Sequence, residues 1–189
     1  MIAMIDEAVA EHSSGNVYVV VAVVVVKDQS MIQEQLTGRI YRDNRIRPSH
    51  WHEEGPFVRG IISEVSENVG AIGQAFLESC GRSGQEAARV RMLNKALDWI
   101  SREGAGEVMI ESRGPKLDIR DRRTVKRFQL ENDSHLAVKW AQKKEPLLWL
   151  ADALAGATRE NLLRPGASLD NGRLLAIMGA EFPNWVEKG

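Results

Sequence analysis

Three acidic residues, Asp6, Glu111 and Asp152, stand where carboxylates could do chemistry. Asp6 and Glu111 each follow a short apolar segment, so both are expected at the ends of strands, where α/β proteins tend to place reactive groups. Asp152 lies within the apolar run PLLWLADALAGA. A carboxylate is costly to bury there unless it is paired or binds a metal ion. The small residues around Asp152 would let its helix approach a sheet closely.

Three converging carboxylates repel one another, and a divalent cation with hard oxygen ligands relieves that repulsion. The expected cofactor is therefore Mg²⁺ or Mn²⁺, which would activate water and stabilise the leaving oxygen of a phosphodiester. Each acid also has an ordinary structural explanation. Asp6 could cap a turn, and Glu111 could pair with Arg113. Asp152 could pair with Arg159 or another base.

The elements that must position these acids begin with two strands. We predict a short first strand at residues 2–5 and a second strand at residues 17–26, joined by the polar segment 11–16 as an antiparallel pair. Nine of the ten residues at 17–26 are β-branched or aromatic, which favours a strand buried on both faces. This run is also shorter than the roughly 20 residues of a membrane helix.

In the rest of the chain, segments with a helical pattern of apolar residues alternate with segments that have an extended pattern. Helices are predicted at 28–43, 57–65, 83–103, 118–130 (a basic helix or loop), 145–163 and around 174–178, and strands at 69–77, 108–110 and 134–140. Such alternation predicts an α/β fold, with a mixed sheet flanked by helices. The 189 residues suit one domain. We expect a helical insertion around residues 28–66 and a C-terminal extension around residues 165–189.

Composition narrows the class of protein. Hydrophobic residues make up 43% and charged residues 27% of the chain, which is typical of a packed globular domain. The net charge of -1 argues against a dedicated nucleic-acid-binding module, although an enzyme that touches a backbone locally can be near neutral. Cys80 is the single cysteine, so there is no internal disulfide, and a small structural side chain is more usual than a nucleophile. We expect a cytoplasmic protein without a signal peptide or membrane segment.

A basic segment, RGPKLDIRDRRTVKR at residues 113–127, follows Glu111 almost directly. It could track a phosphate backbone beside the acidic site, or it could be a solvated helix face. The candidate backbone contacts are Arg113, Lys116, Arg120 and Arg123. A second basic group lies at Arg39, Arg42, Arg45 and Arg47.

Five segments in order carry a resemblance to a known family. They are MIDEA at 4–8, VYVVVAVVVV at 17–26, SHWHEE at 49–54, VMIES at 108–112 and LLWLADALAGA at 147–157. In these segments the chain resembles the RNase H-like family catalogued as domain of unknown function 3800, and the last segment is the most specific. The sequence departs from the family pattern at Ala8, where Ser is usual, and at Glu111, where Asp is common.

The resemblance implies an RNase H-like fold and a divalent-metal nuclease. Asp6, Glu111 and Asp152 match the acidic triad of the family, and Glu7 matches the second acid of the opening motif. His50 or His52 matches the family's histidine segment. The resemblance leaves room for a histidine that transfers protons or binds metal, or for one that packs on Trp51 in a loop.

Three functions are consistent with these residues. The first hypothesis is a Mg²⁺- or Mn²⁺-dependent nuclease that acts on RNA or DNA, with arginines seating the phosphates. The second is a noncatalytic binding or partner protein on an RNase H-like scaffold, in a defence or toxin–antitoxin-like system. The departures at Ala8 and Glu111 and the neutral charge favour the second. The third is a metal-dependent phosphatase or nucleotide hydrolase.

Overall fold

Strands and helices alternate along the described part of the computed structural model, which comprises residues 1–11, 15–40, 56–164, 169–177 and 179. The strands are β1 (Ile2–Glu11), β2 (Val17–Val26), β3 (Ile72–Cys80), β4 (Glu107–Glu111) and β5 (Ala137–Ala141). The helices are α1 (Gln29–Ile40), α2 (Pro56–Asn68), α3 (Gln85–Arg102), α4 (Pro115–Glu131), α5 (Leu148–Leu163) and α6 (Leu169–Ile177).

The strands form one mixed sheet in the order β3-β2-β1-β4-β5. β2 is antiparallel to both β1 and β3, whereas β4 runs parallel to β1, and β5 runs parallel to β4. The predicted α/β class, with a mixed sheet flanked by helices, is therefore confirmed. Because β1, β4 and β5 are parallel, their carboxyl ends point towards the same edge of the sheet.

Helices cover both faces of the sheet. On one face, Met4, Val24 and Met109 form a core with side chains from α1, α2, α5 and α6; we call this the α5 face. On the other, Ile5 and Ile110 pack with side chains from α3 and α4; we call this the α3 face. Since side chains alternate along a strand, neighbouring residues of β1 belong to different faces.

The valine-rich strand β2 lies in the middle of this arrangement. All of its residues are buried except Tyr18, which is partly exposed. Its valines alternate, with Val24 and Val26 in the core of the α5 face and Val23 and Val25 in the core of the α3 face. The expectation of a strand buried on both faces is confirmed.

Several predicted boundaries were wrong, including the starts of α4, β5 and α5, which lie at Pro115, Ala137 and Leu148 rather than at residues 118, 134 and 145. β1 continues well past Ile5 to Glu11, because ten successive residues pair with β2, so Asp6 lies inside a strand rather than at its end. β3 begins at Ile72 rather than residue 69, after a turn in which Gly70 has a φ of 57°. The helix predicted at 83–103 begins at Gln85.

Helix α5 packs against the central strands β1 and β2. The helix is rich in small buried residues, among them Ala151, Ala155 and Gly156, and small side chains permit a short helix-to-sheet distance. The buried small residues around Asp152 are consistent with the close approach that the sequence predicts. Within the described residues, no helix has the length and apolar character needed to span a membrane.

Candidate functional site

Asp6 and Glu111 are brought together by the pairing of two parallel strands. Ile5 of β1 is paired with Ile110 of β4, so the next residue along each strand is Asp6 and Glu111. Both acids belong to the α5 face, since Met4 and Met109, two residues earlier on each strand, lie in its core. Asp6 is 6% exposed, which places a carboxyl group inside the protein.

Asp6 is buried beside two other acidic side chains, Glu111 and Asp152. Burial raises the pKa of Asp6 well above its usual value, and the negative charges of Glu111 and Asp152 raise it further. A side-chain hydrogen bond with Glu111 acts in the same direction, while a hydrogen bond with the backbone of Glu7 partly opposes it. These effects favour a proton on Asp6, which lets its carboxyl group donate a hydrogen bond to Glu111.

Asp152 of α5 lies close enough to Asp6 to raise its pKa, and it forms an ion pair with a lysine. Asp152 Oδ1 lies 3.5 Å from Lys143 Nζ. Lys143 follows the end of β5, whose carboxyl end lies beside that of β4. Sequence reasoning missed Lys143; the only available signal was its position two residues after a strand parallel to β4.

The alternative structural roles of the three acids can now be compared with their contacts. Asp6 does not cap a turn, because it pairs with Ala22 inside β1. Arg113 pairs with other acids, and a Glu111–Arg113 pair is not among the ion pairs of the described residues. Arg159 Nε donates to the carbonyl oxygen of Val9 at 2.9 Å.

The chemistry of the donor set suits a hard divalent cation, since all three groups offer carboxylate oxygens. The side chains interact electrostatically. Among the described residues, however, no three His, Cys, Asp or Glu side chains are drawn together as a preassembled metal centre. The ion pair of Asp152 with Lys143, and the proton that the raised pKa favours on Asp6, offset part of the local negative charge.

Glu7 belongs to a different cluster, on the α3 face. Its carboxylate pairs with Arg89 of α3 and lies 3.1 Å from Nη1 of Arg113. Arg89 also pairs with Asp121 of α4, whose side chain is fully buried. Arg113 Nη2 completes the network at 3.1 Å from both Asp121 Oδ1 and Glu86 Oε1. We call these five residues the α3-face network.

Two residues that the sequence predicts for the functional site, Glu7 and Arg113, belong to this network instead. Glu7 lies on the opposite face of the sheet from Asp6, so its expected membership of the catalytic group does not fit the structure. Arg113 is held by three acids, which leaves it poorly placed to seat a phosphate. Lys116, Arg120 and Arg123 are exposed on α4.

The other predicted candidates are placed as follows. His50 and His52, like Arg42, Arg45 and Arg47, lie outside the described residues. Cys80 is a free thiol at the end of β3, and burial together with the charge of Glu78 raises its pKa. A raised pKa keeps the thiol protonated at neutral pH, which agrees with a structural role for this side chain.

Comparison with known proteins adds one likeness. No protein-family model matches the chain, and no curated protein matches it. Among solved structures, the chain is similar to RNase HII in the PCNA:RNase HII complex from Archaeoglobus fulgidus. The TM-score is 0.51 and the sequence identity 18%, over 97% of this chain and 80% of that chain. The likeness shows an RNase H-like fold, as the sequence predicts.

Proposed function

We propose that this protein is a divalent-metal-dependent nuclease that hydrolyses phosphodiester bonds of RNA or DNA. Asp6, Glu111 and Asp152 are its metal ligands, and Mg²⁺ or Mn²⁺ is its cofactor. The observation that carries the proposal is the electrostatic convergence of these three carboxylates on the α5 face of an RNase H-like sheet. Acids that perturb one another in this way are typical of functional sites.

Each of the three acids has a separate part in the proposal. Asp6 lies at the centre, on the middle strand of the sheet, and would act as a ligand in its deprotonated form. Glu111 flanks Asp6 through the parallel strand β4, and Asp152 approaches from the facing helix. A cation held by these oxygens would lower the pKa of a bound water and stabilise charge on the leaving oxygen.

We also propose that the chain is a member of the RNase H-like family catalogued as domain of unknown function 3800. The segment LLWLADALAGA supports this, because it lies at the start of α5 and presents Asp152 to the other two acids. In this proposal His50 or His52 assists proton transfer. The membership predicts that a histidine variant loses turnover without losing metal binding.

The test is hydrolysis of labelled single-stranded, duplex and hybrid nucleic acids in the presence of Mn²⁺, Mg²⁺ or EDTA. Wild type is compared with Asp152→Asn, which keeps the shape of the side chain and removes its charge. We expect metal-dependent cleavage by wild type and a loss of at least about a hundredfold in the variant, since removing a charged group from such a centre costs several kcal/mol of transition-state stabilisation.

The matched control is Asp98→Asn, which makes the same chemical change on the exposed surface of α3, where Asp98 pairs with Arg102. This variant should cleave like wild type. Absence of cleavage by folded wild-type protein in every metal would contradict the proposal. Hydrolysis of p-nitrophenyl phosphate or a nucleoside triphosphate without cleavage of polymers would point instead to a phosphatase or nucleotide hydrolase.

A second function, a noncatalytic binding or partner protein, is favoured by one specific observation. Asp152 has a lysine partner, since its Oδ1 lies 3.5 Å from Lys143 Nζ. In this alternative, Lys143 serves as the permanent counterion of the acidic group. Binding of Mn²⁺ by wild type, measured by calorimetry and lost in Asp152→Asn, would contradict this alternative.

A further inference from the structure

Positive charge is concentrated on the outer surface of α4. Six basic residues of this helix are exposed, namely Lys116, Arg120, Arg122, Arg123, Lys126 and Arg127; we call them the basic face. The whole chain has a net charge of -1. Because the basic face contributes six positive charges, all other residues together sum to seven negative charges.

The basic face is ordered by the period of the helix. Lys116, Arg120, Arg123 and Arg127 are separated by four, three and four residues, so their side chains lie along one side of α4. At a rise of about 1.5 Å per residue, this row is about 16 Å long. That length corresponds to about five nucleotides of a B-form strand.

Little of this positive charge is paired within the described residues, and the acid beside the row is Glu131, four residues after Arg127. Two of the acids of α4 are engaged elsewhere: Asp121 is buried in the α3-face network, and Asp118 accepts hydrogen bonds from Ser112 and the backbone of Arg113. No ion pair involves Lys116, Arg120 or Arg123 among the described residues. Like charges three or four residues apart destabilise a helix, so this pattern weakens the isolated α4 and calls for an anionic partner.

The arrangement of α4 fits a phosphate backbone better than a protein partner. Most of the basic residues are arginines, which bind phosphate with two parallel hydrogen bonds. Two large apolar side chains, Ile119 and Leu130, are exposed on the same helix. They are eleven residues apart, which is about 16 Å, so they form no contiguous apolar patch of the kind that protein interfaces use.

The position of α4 separates this surface from the carboxylates. α4 packs on the α3 face, whereas Asp6 and Asp152 lie on the α5 face. The helix begins at Pro115, four residues after Glu111, so its first basic residue lies near the edge of the sheet where the carboxylates converge. From there the row runs back along the other face, because α4 connects the parallel strands β4 and β5.

We propose that the basic face of α4 is a docking surface for the phosphate backbone of a nucleic acid, separate from the carboxylate group. This goes beyond the proposed hydrolysis, since docking on α4 needs neither the carboxylates nor a metal ion. Arg122, whose guanidinium lies 4.7 Å from the ring centroid of Trp140, is held at one flank. The row of Lys116, Arg120, Arg123 and Arg127 makes the principal contacts.

The test measures binding of fluorescein-labelled single-stranded and duplex RNA and DNA in EDTA, where metal-dependent cleavage cannot occur. Wild type is compared with the triple variant Arg120→Gln/Arg123→Gln/Arg127→Gln over a range of salt concentrations. We expect the variant to bind at least about tenfold more weakly at low salt. The slope of log affinity against log salt should fall by about two to three, corresponding to the loss of three phosphate contacts.

The matched control is Lys27→Gln/Lys95→Gln/Arg102→Gln, which removes the same charge from exposed positions outside α4. This control should bind within about twofold of wild type. Equal weakening by the two triple variants, or no binding by wild type at low salt, would overturn the proposal. Equal competition by polyaspartate at matched charge would also overturn it, in favour of an acidic protein partner.

Separate measurements of binding and cleavage distinguish this proposal from the proposed function. In EDTA the exposed-surface variant Asp98→Asn should bind nucleic acid as wild type does. If wild type binds through α4 but never cleaves, the nuclease proposal fails and the docking surface stands. If cleavage depends on Asp152 while the α4 variant binds normally, the docking surface fails and the nuclease proposal stands.

Discussion

Asp6 and Glu7 are neighbours in the chain, yet they lie in opposite electrostatic surroundings. On the α3 face, the acids of the network share two arginines, so that Glu7 and Asp121 each have a positively charged partner. On the α5 face, Asp6 is surrounded by two further acids, one of which, Asp152, pairs with Lys143. The first arrangement stabilises the fold, whereas the second leaves negative charge that a cation could neutralise.

The comparison shows why a count of buried acids does not identify a functional site. Asp121 is buried more completely than Asp6, but it belongs to a network of ion pairs. A buried charge with a well-placed partner is a structural element, and removing that partner is strongly destabilising. A buried charge among like charges raises the free energy of the folded state, which proteins tolerate at sites of function.

The largest expected effect comes from removing the shared partner on the α3 face. Arg89→Met should lower the free energy of unfolding by about 3–5 kcal/mol, because it leaves the buried Asp121 with only Arg113 and weakens the hold on Glu7. Chemical denaturation at neutral pH measures the change. The control is Arg102→Met, which breaks an exposed pair with Asp98 and should cost less than about 1 kcal/mol. If the two variants lost similar amounts of unfolding free energy, the α3-face network would be no more stabilising than an exposed ion pair.

A divalent cation should stabilise the protein through the acids of the α5 face. At a Mn²⁺ concentration about a hundred times its dissociation constant, wild type should gain about 2.7 kcal/mol of stability. Asp152→Asn should lose most of that gain, because it removes one of the three carboxylates. Asp98→Asn should keep the gain. Thermal melting with and without Mn²⁺ provides the measurement, and an equal gain in Asp152→Asn would mean that the cation binds elsewhere.

The same Asp→Asn substitution should change the free energy of unfolding in opposite directions on the two faces. Asp6→Asn should stabilise the metal-free protein at neutral pH by about 1–3 kcal/mol, because Asp6 must take up a proton when the chain folds, whereas Asn is neutral in both states. Asp121→Asn should destabilise the protein by a similar amount, because two arginines lose an ionic partner. Urea denaturation of both variants tests the pair, and a shared sign would refute the contrast.

The pH dependence of stability follows from the raised pKa of Asp6. Since this pKa is higher in the folded protein than in the unfolded chain, the folded state holds an extra proton between the two values. The resulting stabilisation is fully present below the unfolded pKa and is lost as the pH rises through the folded pKa. Relative to wild type, Asp6→Asn should therefore gain stability as the pH rises across that window. A difference that is independent of pH would count against the raised pKa.

Much of this arrangement could be predicted from local pattern. The valine run specified β2, and the apolar run around Asp152 specified α5, because both signals lie within one segment. Asp6 and Glu111 could be grouped as acids at strand ends, and Asp152 as a carboxylate in an apolar helix. Glu111 does end its strand, whereas Asp6 lies inside β1. Their convergence in the folded chain is consistent with that grouping.

The α3-face network could not be predicted, because it depends on contacts between distant segments. Arg89 and Glu7 are separated by 82 residues, and helical spacing alone does not show that Arg89 faces inward. The length of β1 was also hidden, since it depends on pairing with β2 through Glu11. The role of Lys143 could not be predicted for the same reason, because the fold brings it to its partner Asp152 on α5.

Lys143 provides the smallest and sharpest prediction, because it is a positive charge that pairs with one of the three acids on the α5 face. Its ion pair with Asp152 spans 3.5 Å, and its side chain is 29% exposed, so the pair should contribute less than about 1 kcal/mol. Lys143→Met should therefore strengthen Mn²⁺ binding by about two- to fivefold, since Lys143 no longer competes for Asp152.

The matched control for this change is Lys144→Met, which removes the same charge from the adjacent exposed residue and should leave the dissociation constant unchanged. Calorimetric titration at low ionic strength, where electrostatic effects are least screened, resolves differences of this size. Weaker Mn²⁺ binding in Lys143→Met would reverse the interpretation of this residue. Lys143 would then hold Asp152 in place for the cation, and the α5 face would resemble the α3 face in depending on a fixed positive partner.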